Sequence, residues 1–161
     1  MKKYLFLLIV FLFSTSCETD TICIDETTPH LVIRFYNKDD ISKFKKVTNL
    51  KVSVKNTLDE SVQIGSVSSI DSIALPLNVD LDLTKIYLTK NATDTSDGIE
   101  NTFILNYSRE EVFVSRSCGY KTIYNTINIS DSNITNDWIT NILVIKTEVD
   151  NENQAHLNIF H

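Results

Sequence analysis

The chain is poor in glycine, proline and alanine, with only three, two and three of these among its 161 residues. Three glycines leave no glycine-rich loop that could hold a phosphate. Segments poor in alanine make weak helices, whereas the 19 isoleucines, 12 valines and 17 threonines suit the pleated surface of a sheet. The composition therefore predicts a β protein, and the length allows one domain with its own core.

Positive charge is also scarce. The 15 Lys and Arg residues face 21 Asp and Glu residues, which gives a net charge of −6. General binding to nucleic acid needs clustered basic side chains on the phosphates, so nucleic acid is not an expected partner.

A long apolar run is missing as well. Lys2 and Lys3 precede an apolar stretch of ten residues, 4–13. A transmembrane helix needs about 20 apolar residues, so this stretch is too short to span a bilayer. A positive start, a short apolar run and the small residues 14–16 are typical of a secretory signal peptide.

Cys17 follows the small residues directly, which resembles a lipoprotein signal, although Ser14 stands where the usual signal has leucine. An ordinary secretory signal with an incidental cysteine is the alternative. We expect residues 1–16 to be the signal peptide, residues 17–29 a lipid-anchored tether beginning at acylated Cys17, and residues 30–161 the folded domain. The expected location is the cell envelope, as an outer-membrane lipoprotein on the periplasmic face or the cell surface.

The remaining cysteines are Cys23 and Cys118. An oxidising envelope favours a disulfide between them, and two separate buried thiols are the alternative. The bond would close a loop of about 95 residues and add ~4–5 kcal/mol of stability in the chain-entropy model. Three distant histidines share no ligand spacing with these cysteines, so we expect no metal and no cofactor.

Apolar and polar residues alternate in short runs after Pro29, which is the pattern of half-buried strands. Leu31, Ile33 and Phe35 fall on one face of the first run. Clusters of Asn, Asp, Ser and Thr separate the runs and favour turns. We predict an all-β fold, a single antiparallel, immunoglobulin-like β-sandwich, with a closed lipocalin-like barrel as the alternative. The predicted strands are 31–36, 50–55, 62–67, 70–75, 85–90, 102–108, 111–117, 121–130, 138–149 and 155–160; 40–46 and 132–140 could each form one helical turn.

Four blocks resemble a family of uncharacterised lipoproteins of Bacteroidota, a domain of unknown function. They are LVIRFY at 31–36, DSIALPL at 71–77, YSREEVFVSRSCGYK at 107–121 and AHLNIFH at 155–161, together with Cys17 and the region of Cys23. The block at 107–121 is the most specific. The resemblance implies a one-domain envelope lipoprotein from a flavobacterium-like source and carries no known activity.

The block at 107–121 is also the densest cluster of polar chemistry. Its candidate recognition residues are Arg109, Glu111, Arg116, Tyr120 and Lys121. Glu110 and Glu111 are neighbours on a predicted strand, so they point to opposite faces and cannot share one acid/base centre. A strand end with a turn at Gly119 explains the same cluster without any recognition.

Other motifs are weaker. Thr21 and Ser72 each follow Asp and precede Ile, which resembles the O-glycosylation signal of Bacteroidota. Asp94, Asp97 and Glu100 could hold Ca²⁺, although their spacing differs from the usual calcium loop and a solvated turn is the preferred interpretation.

No catalytic set is apparent. Nucleophilic catalysis needs a Ser or Cys beside a base that a third group holds. His156 alternates with Leu157 and is expected to face away from the core, and His161 is expected to be solvated or packed at a strand end.

We therefore expect a non-enzymatic envelope lipoprotein that acts as an accessory or assembly partner of another envelope protein, such as an outer-membrane protein. The membrane would be contacted through the N-terminal lipid. A module that binds a small ligand or a glycan is the alternative.

Overall fold

Strands account for the regular structure in the computed structural model, which describes residues 23, 27–55, 61–93, 95–133 and 138–161. Within these residues there is no helix, and so none long and apolar enough to cross a bilayer. The strands are β1 (Leu31–Tyr36), β2 (Val47–Lys55), β3 (Ser61–Ile70), β4 (Ser72–Leu75), β5 (Leu83–Lys90), β6 (Ile99–Ser115), β7 (Gly119–Asn133), β8 (Asn141–Val144) and β9 (Leu157–Phe160).

The strands form two sheets packed face to face. One has the order β4-β1-β9-β8 and the other the order β3-β2-β5-β6-β7. Neighbours pair antiparallel except β1 and β9, which run parallel. The predicted β-sandwich is confirmed, and the sheets do not close into a barrel.

The core lies between the inner faces of the sheets. Leu31, Ile33 and Phe35 of β1 are fully buried, as their alternation predicts, while Arg34 between them is exposed. The facing sheet contributes alternating apolar residues from its central strands in the same way: Leu50 and Val52, Ile86 and Leu88, Phe103 and Leu105. β-branched and aromatic side chains thus fill the space between two pleated surfaces.

Two predicted strands, 102–108 and 111–117, are one continuous strand, β6, of 17 residues. The charged residues 109–111 suggested a break, because a sandwich strand normally alternates with apolar side chains. These residues lie beyond the end of the sandwich, where both faces meet solvent and pairing with β7 continues. β7 likewise continues past Ser130, where the predicted strand 121–130 ended, and ends at Asn133.

Other boundaries shift too. The predicted strand 138–149 is reduced to the four residues of β8, and residues 40–46 form a turn and a bridge rather than a helical turn. Of the predicted helical turn at 132–140, residues 132 and 133 belong to β7, while 134–137 lie outside the described residues. Residues 56–60, between β2 and β3, also lie outside the described residues.

The two lateral sides of the sandwich differ. On one side the chain leaves β8 and crosses to β7, where Tyr124 and Val149 exchange main-chain hydrogen bonds of 3.1 and 2.7 Å and Ile127 N donates to Thr147 O at 2.9 Å. On the other side β3 and β4 join through Asp71, so that consecutive strands form the edges of different sheets. Apart from this covalent link at Asp71, no main-chain hydrogen bond joins β3 to β4 in the described part of the chain, and we call this second side the open side.

Two glycines with the same backbone angle allow a matched test of the fold. Gly98 and Gly119 both have φ of +73°, but a Cβ at Gly98 would overlap the carbonyl oxygen of Lys90 and lie 2.9 Å from Ala92 N, whereas one at Gly119 meets nothing within 4 Å. We expect Gly119→Ala to cost about 1 kcal/mol of unfolding free energy and Gly98→Ala at least about 2 kcal/mol. Urea denaturation of both variants measures the difference, and equal losses would contradict the role of the close approach.

Candidate functional site

The predicted recognition residues lie on an extension of the β6–β7 hairpin. Tyr107 and Tyr124 form the last buried pair of the hairpin, with ring centroids 5.0 Å apart. Beyond them the two strands continue as a two-stranded ribbon, which we call the hairpin arm (residues 108–123). Because the ribbon projects past the sandwich, most of its β6 side chains are exposed.

Arg109 sits at the base of the arm and holds a neighbouring loop. Its Nε donates to Asp82 Oδ1 at 2.7 Å, and its Nη1 donates to the carbonyl oxygen of Val79. The hydrogen bond to Asp82 raises the pKa of the guanidinium. The two bonds give Arg109 a bracing role between the arm and residues 79–82.

The other predicted recognition residues are only partly brought together. Glu111 lies opposite Thr122, and Tyr120 lies opposite Phe113 on the same face of the arm. Lys121 lies opposite Val112 on the other face, and Arg116 is exposed in the turn. Near the base, a shallow depression of about 370 Å³ is lined by Val79, Asp82, Ser108, Arg109, Glu111 and Thr122.

The tip of the arm carries the predicted disulfide, which is confirmed. Cys23 is bonded to Cys118, with their Cα atoms 5.0 Å apart. Thr28 lies along the arm as well, because its Oγ1 accepts a hydrogen bond of 3.0 Å from the Thr122 main-chain N. The N-terminal segment is therefore attached to the arm at two described points.

An exposed aromatic pair occupies the same tip. Phe113 is 56% exposed and Tyr120 is 67% exposed, and their rings meet edge to face with centroids 5.4 Å apart. Sequence reasoning selected Tyr120 but did not pair it with Phe113. To pair the two rings, one has to know the register of the hairpin, and the register depends on which residues form the turn.

A second candidate surface lies on the open side. An apolar groove of about 260 Å³ runs between β3 and β4. Its floor and walls are Val52 of β2, Gly65, Val67 and Ile70 of β3, and residues 72–75 of β4. The groove exists because the two strands belong to different sheets and diverge after Asp71. Sequence reasoning missed it, because no local pattern shows that two consecutive strands will separate.

The predicted modification sites differ in whether the structure describes them. Cys17 and Thr21 lie outside the described residues. Ser72 is half-buried at the start of β4, opposite Arg34 of β1. The local structure at Ser72 is thus a paired strand, in which an acceptor hydroxyl is less accessible than in a loop.

His156 does not face away from the core, so that prediction is wrong. It is fully buried, and its Nδ1 accepts a hydrogen bond of 2.9 Å from the main-chain N of Val32. The residue precedes the first residue of β9, so strand alternation does not apply to it. His161 packs at the end of β9 with its ring centroid 5.4 Å from that of Trp138 and 6.2 Å from that of Phe35.

Burial lowers the pKa of both histidines, and Lys146 near His156 and Lys90 near His161 act in the same direction. One ring nitrogen of each, His156 Nε2 and His161 Nδ1, is buried with no hydrogen-bond partner. Both rings are part of the packed interior.

Asp97 and Glu100, two of the three possible calcium ligands, lie beside a polar depression of about 450 Å³ on the outer face of the larger sheet. Its lining includes Lys51, Thr89, Asp97 and Glu100, with Thr89 Oγ1 3.4 Å from Glu100 Oε2. Asp94 lies outside the described residues. Across the residues that the structure describes, no three His, Cys, Asp or Glu side chains group as metal ligands do.

A comparison with families of known proteins gives a match. A family model described as "Family of unknown function (DUF6452)" matches residues 49–161, which is more than half of the chain. No curated protein and no solved structure matches the chain significantly.

The buried histidines predict acid sensitivity. Because their pKa values are lowered in the folded state, the unfolded chain binds more protons below its own histidine pKa of about 6.5. Stability is therefore complete above about pH 6.5 and is lost as the pH falls from there through the lower folded values. We expect urea midpoints to fall between pH 7.5 and pH 5, and to fall less in His161→Phe, which keeps an aromatic ring beside Trp138. An identical pH dependence in the variant would contradict this explanation.

The disulfide predicts a second measurable effect. The intact protein should show no reaction of Cys23 or Cys118 with a thiol probe until it is reduced. Cys118→Ser should lower the free energy of unfolding by about 4–5 kcal/mol, because it releases a closed loop in the unfolded chain. Ser117→Ala, at the exposed neighbouring position, is the control and should leave the unfolding free energy nearly unchanged.

Proposed function

We propose that this chain, which belongs to the DUF6452 family, is a non-enzymatic lipoprotein of the cell envelope that binds an extended segment of another envelope protein at its open side. The partner strand would pair with β3 and place apolar side chains in the groove between β3 and β4. The chain would then serve as an accessory or assembly subunit of that partner.

The edge strand β3 is the observation that carries this proposal. Its ten residues, SVQIGSVSSI, contain no charged residue and no proline. β3 pairs with β2 on one side only. Folded proteins usually protect such an edge with charge, proline or short length, because a row of unpaired main-chain groups invites another strand. An edge of this length and composition is suited to strand addition.

The remaining edges are better protected. β4 and β8 have four residues each, and β7 is paired at Tyr124 and Ile127 with the chain that leaves β8. Among the strands that the structure describes, β3 is thus the long edge that remains uncovered.

The groove explains which side chains the partner strand would carry. Side chains alternate along a strand, so a strand added to β3 would direct every second residue towards Val67, Ile70 and Ile73. The main chain would supply affinity, and the apolar lining would select aliphatic or aromatic residues at alternate positions. The occupant is therefore an apolar, extended segment of a protein.

Three features support the envelope location. The sequence begins with a signal-like segment that ends at Cys17, which we propose as the acylated residue. The Cys23–Cys118 bond is of a kind that persists in oxidising compartments. The blocks at 31–36, 71–77, 107–121 and 155–161 resemble lipoproteins of Bacteroidota, whose outer membrane is the proposed site of the anchor.

A glycan-binding role has less support. Sugar rings commonly stack on exposed Tyr or Trp, whereas the described residues that line the polar depression at Lys51 and Glu100 include neither. Partner binding at the open side remains the better explanation.

The test is a pull-down of the full-length chain from native membranes in mild detergent, with mass spectrometry of the retained proteins. Two neighbouring positions on β3 give matched variants. Val67 lines the groove and is 39% exposed, whereas Ser66 points to the outer face opposite Lys51. Val67→Glu should reduce the retained partner about tenfold or more, because a carboxylate at the groove would lose its hydration on binding. Ser66→Glu should retain the partner as the natural chain does.

The outcomes separate clearly. Equal retention by both variants would move the interface away from β3 and overturn the proposed binding mode. A natural chain that retains no envelope protein at a stoichiometric level would overturn the accessory role itself.

A further inference from the structure

We propose that the tip of the hairpin arm, at Phe113 and Tyr120, lies against the headgroup region of the membrane that carries the lipid anchor. The arm would then fix the orientation of the sandwich above the bilayer. This inference goes beyond partner binding and depends on one element of the proposed function, the acylation of Cys17.

The disulfide provides the geometric argument. Six peptide steps separate Cys17 from Cys23, and an extended chain covers at most about 3.3–3.6 Å per residue, so the anchor lies within about 20 Å of Cys23. Cys23 is bonded to Cys118 at the tip, with 5.0 Å between Cα atoms. The tip therefore stays close to the anchored residue whatever path residues 18–22 take.

The tether alone would not impose this proximity. The fourteen peptide steps from Cys17 to Leu31 would allow a separation of about 46–50 Å between the anchor and β1. The bond at Cys118 and the hydrogen bond from Thr122 N to Thr28 Oγ1 both attach the tether to the arm rather than to another part of the sandwich. The part of the domain nearest to the membrane is thus determined by covalent structure.

The side chains at the tip suit a membrane surface. Phe113 and Tyr120 form an exposed apolar pair with one phenolic hydroxyl. Amphipathic aromatic rings concentrate at the boundary between headgroups and acyl chains, where the ring is buried and the hydroxyl stays hydrated. Arg116 is exposed in the adjacent turn, where it can approach lipid phosphates.

A protein partner is the less suitable occupant of this surface. Specific protein interfaces bury about 800 Å² on each partner, and two aromatic side chains at the end of a narrow ribbon supply much less. A lipid surface requires no matching shape, and a weak contact is sufficient because the lipid anchor already holds the domain nearby.

The experiment measures the depth of the tip directly. Full-length, acylated protein is reconstituted into vesicles of phosphatidylethanolamine and phosphatidylglycerol whose acyl chains are brominated close to the headgroup. Bromine quenches a tryptophan that reaches it. Tyr120→Trp is expected to lose about half or more of its added fluorescence in brominated vesicles, as an interfacial ring should. Phe113→Trp provides a second reporter at the same tip, in case one variant folds poorly.

Two matched measurements serve as controls. The natural chain contains one tryptophan, Trp138, which is buried, and its signal gives the baseline. Ile41→Trp places the same reporter at a position that is 70% exposed, in the turn after Tyr36. That turn follows the end of β1 remote from Thr28, about 20 Å along the strand, so it should show no quenching above baseline.

Each outcome has a distinct meaning. Protein that sediments with the vesicles but shows no quenching at either tip reporter would overturn the inference and leave the lipid anchor intact. Protein with an unmodified Cys17 that does not associate with the vesicles would overturn both the anchor and the inference. Quenching at Ile41→Trp equal to that at Tyr120→Trp would overturn the fixed orientation.

Discussion

Tyr124 holds the two sheets together at one lateral side of the sandwich. Its main-chain groups exchange hydrogen bonds with Val149, so the chain that leaves one sheet pairs with the edge of the other. Its ring is buried against Tyr107, and its hydroxyl donates to the carbonyl oxygen of Leu77 at 3.3 Å. Burial raises the pKa of this phenol to about 12. The asymmetry of the sandwich follows, because main-chain hydrogen bonds join the sheets on this side, whereas the other side has only the covalent link at Asp71.

This asymmetry separates the two candidate surfaces. The open side leaves β3 available to another strand, at the opposite edge of the larger sheet from β7. The hairpin arm extends from β6 and β7, on the bridged side, and carries the disulfide and the exposed aromatic pair. A partner at β3 and a membrane at the arm could therefore be engaged together without competing for the same residues.

Sequence reasoning succeeded where a residue's position depends on local pattern and failed where it depends on contacts between distant parts of the chain. Leu31, Ile33 and Phe35 could be placed in the core because strand alternation is local. The Cys23–Cys118 bond could be predicted because two cysteines in one compartment have few alternatives. His156 was misplaced because its burial depends on a hydrogen bond to Val32, which lies 124 residues away in sequence. Arg109 was expected at a recognition surface, and its bonds to Asp82 and Val79 instead depend on the position of the loop between β4 and β5. The groove depends on how two sheets diverge, which no single segment encodes.

The parallel pairing of β1 with β9 has a consequence for how the chain reaches its native state. The first and last strands are neighbours, and His161 packs beside Phe35. The smaller sheet therefore lacks a central strand until residues 157–160 are in place. Such a topology, rich in contacts between distant parts of the chain, folds more slowly than one built from neighbouring strands, because a long loop must close before the pairing of β1 with β9 stabilises it.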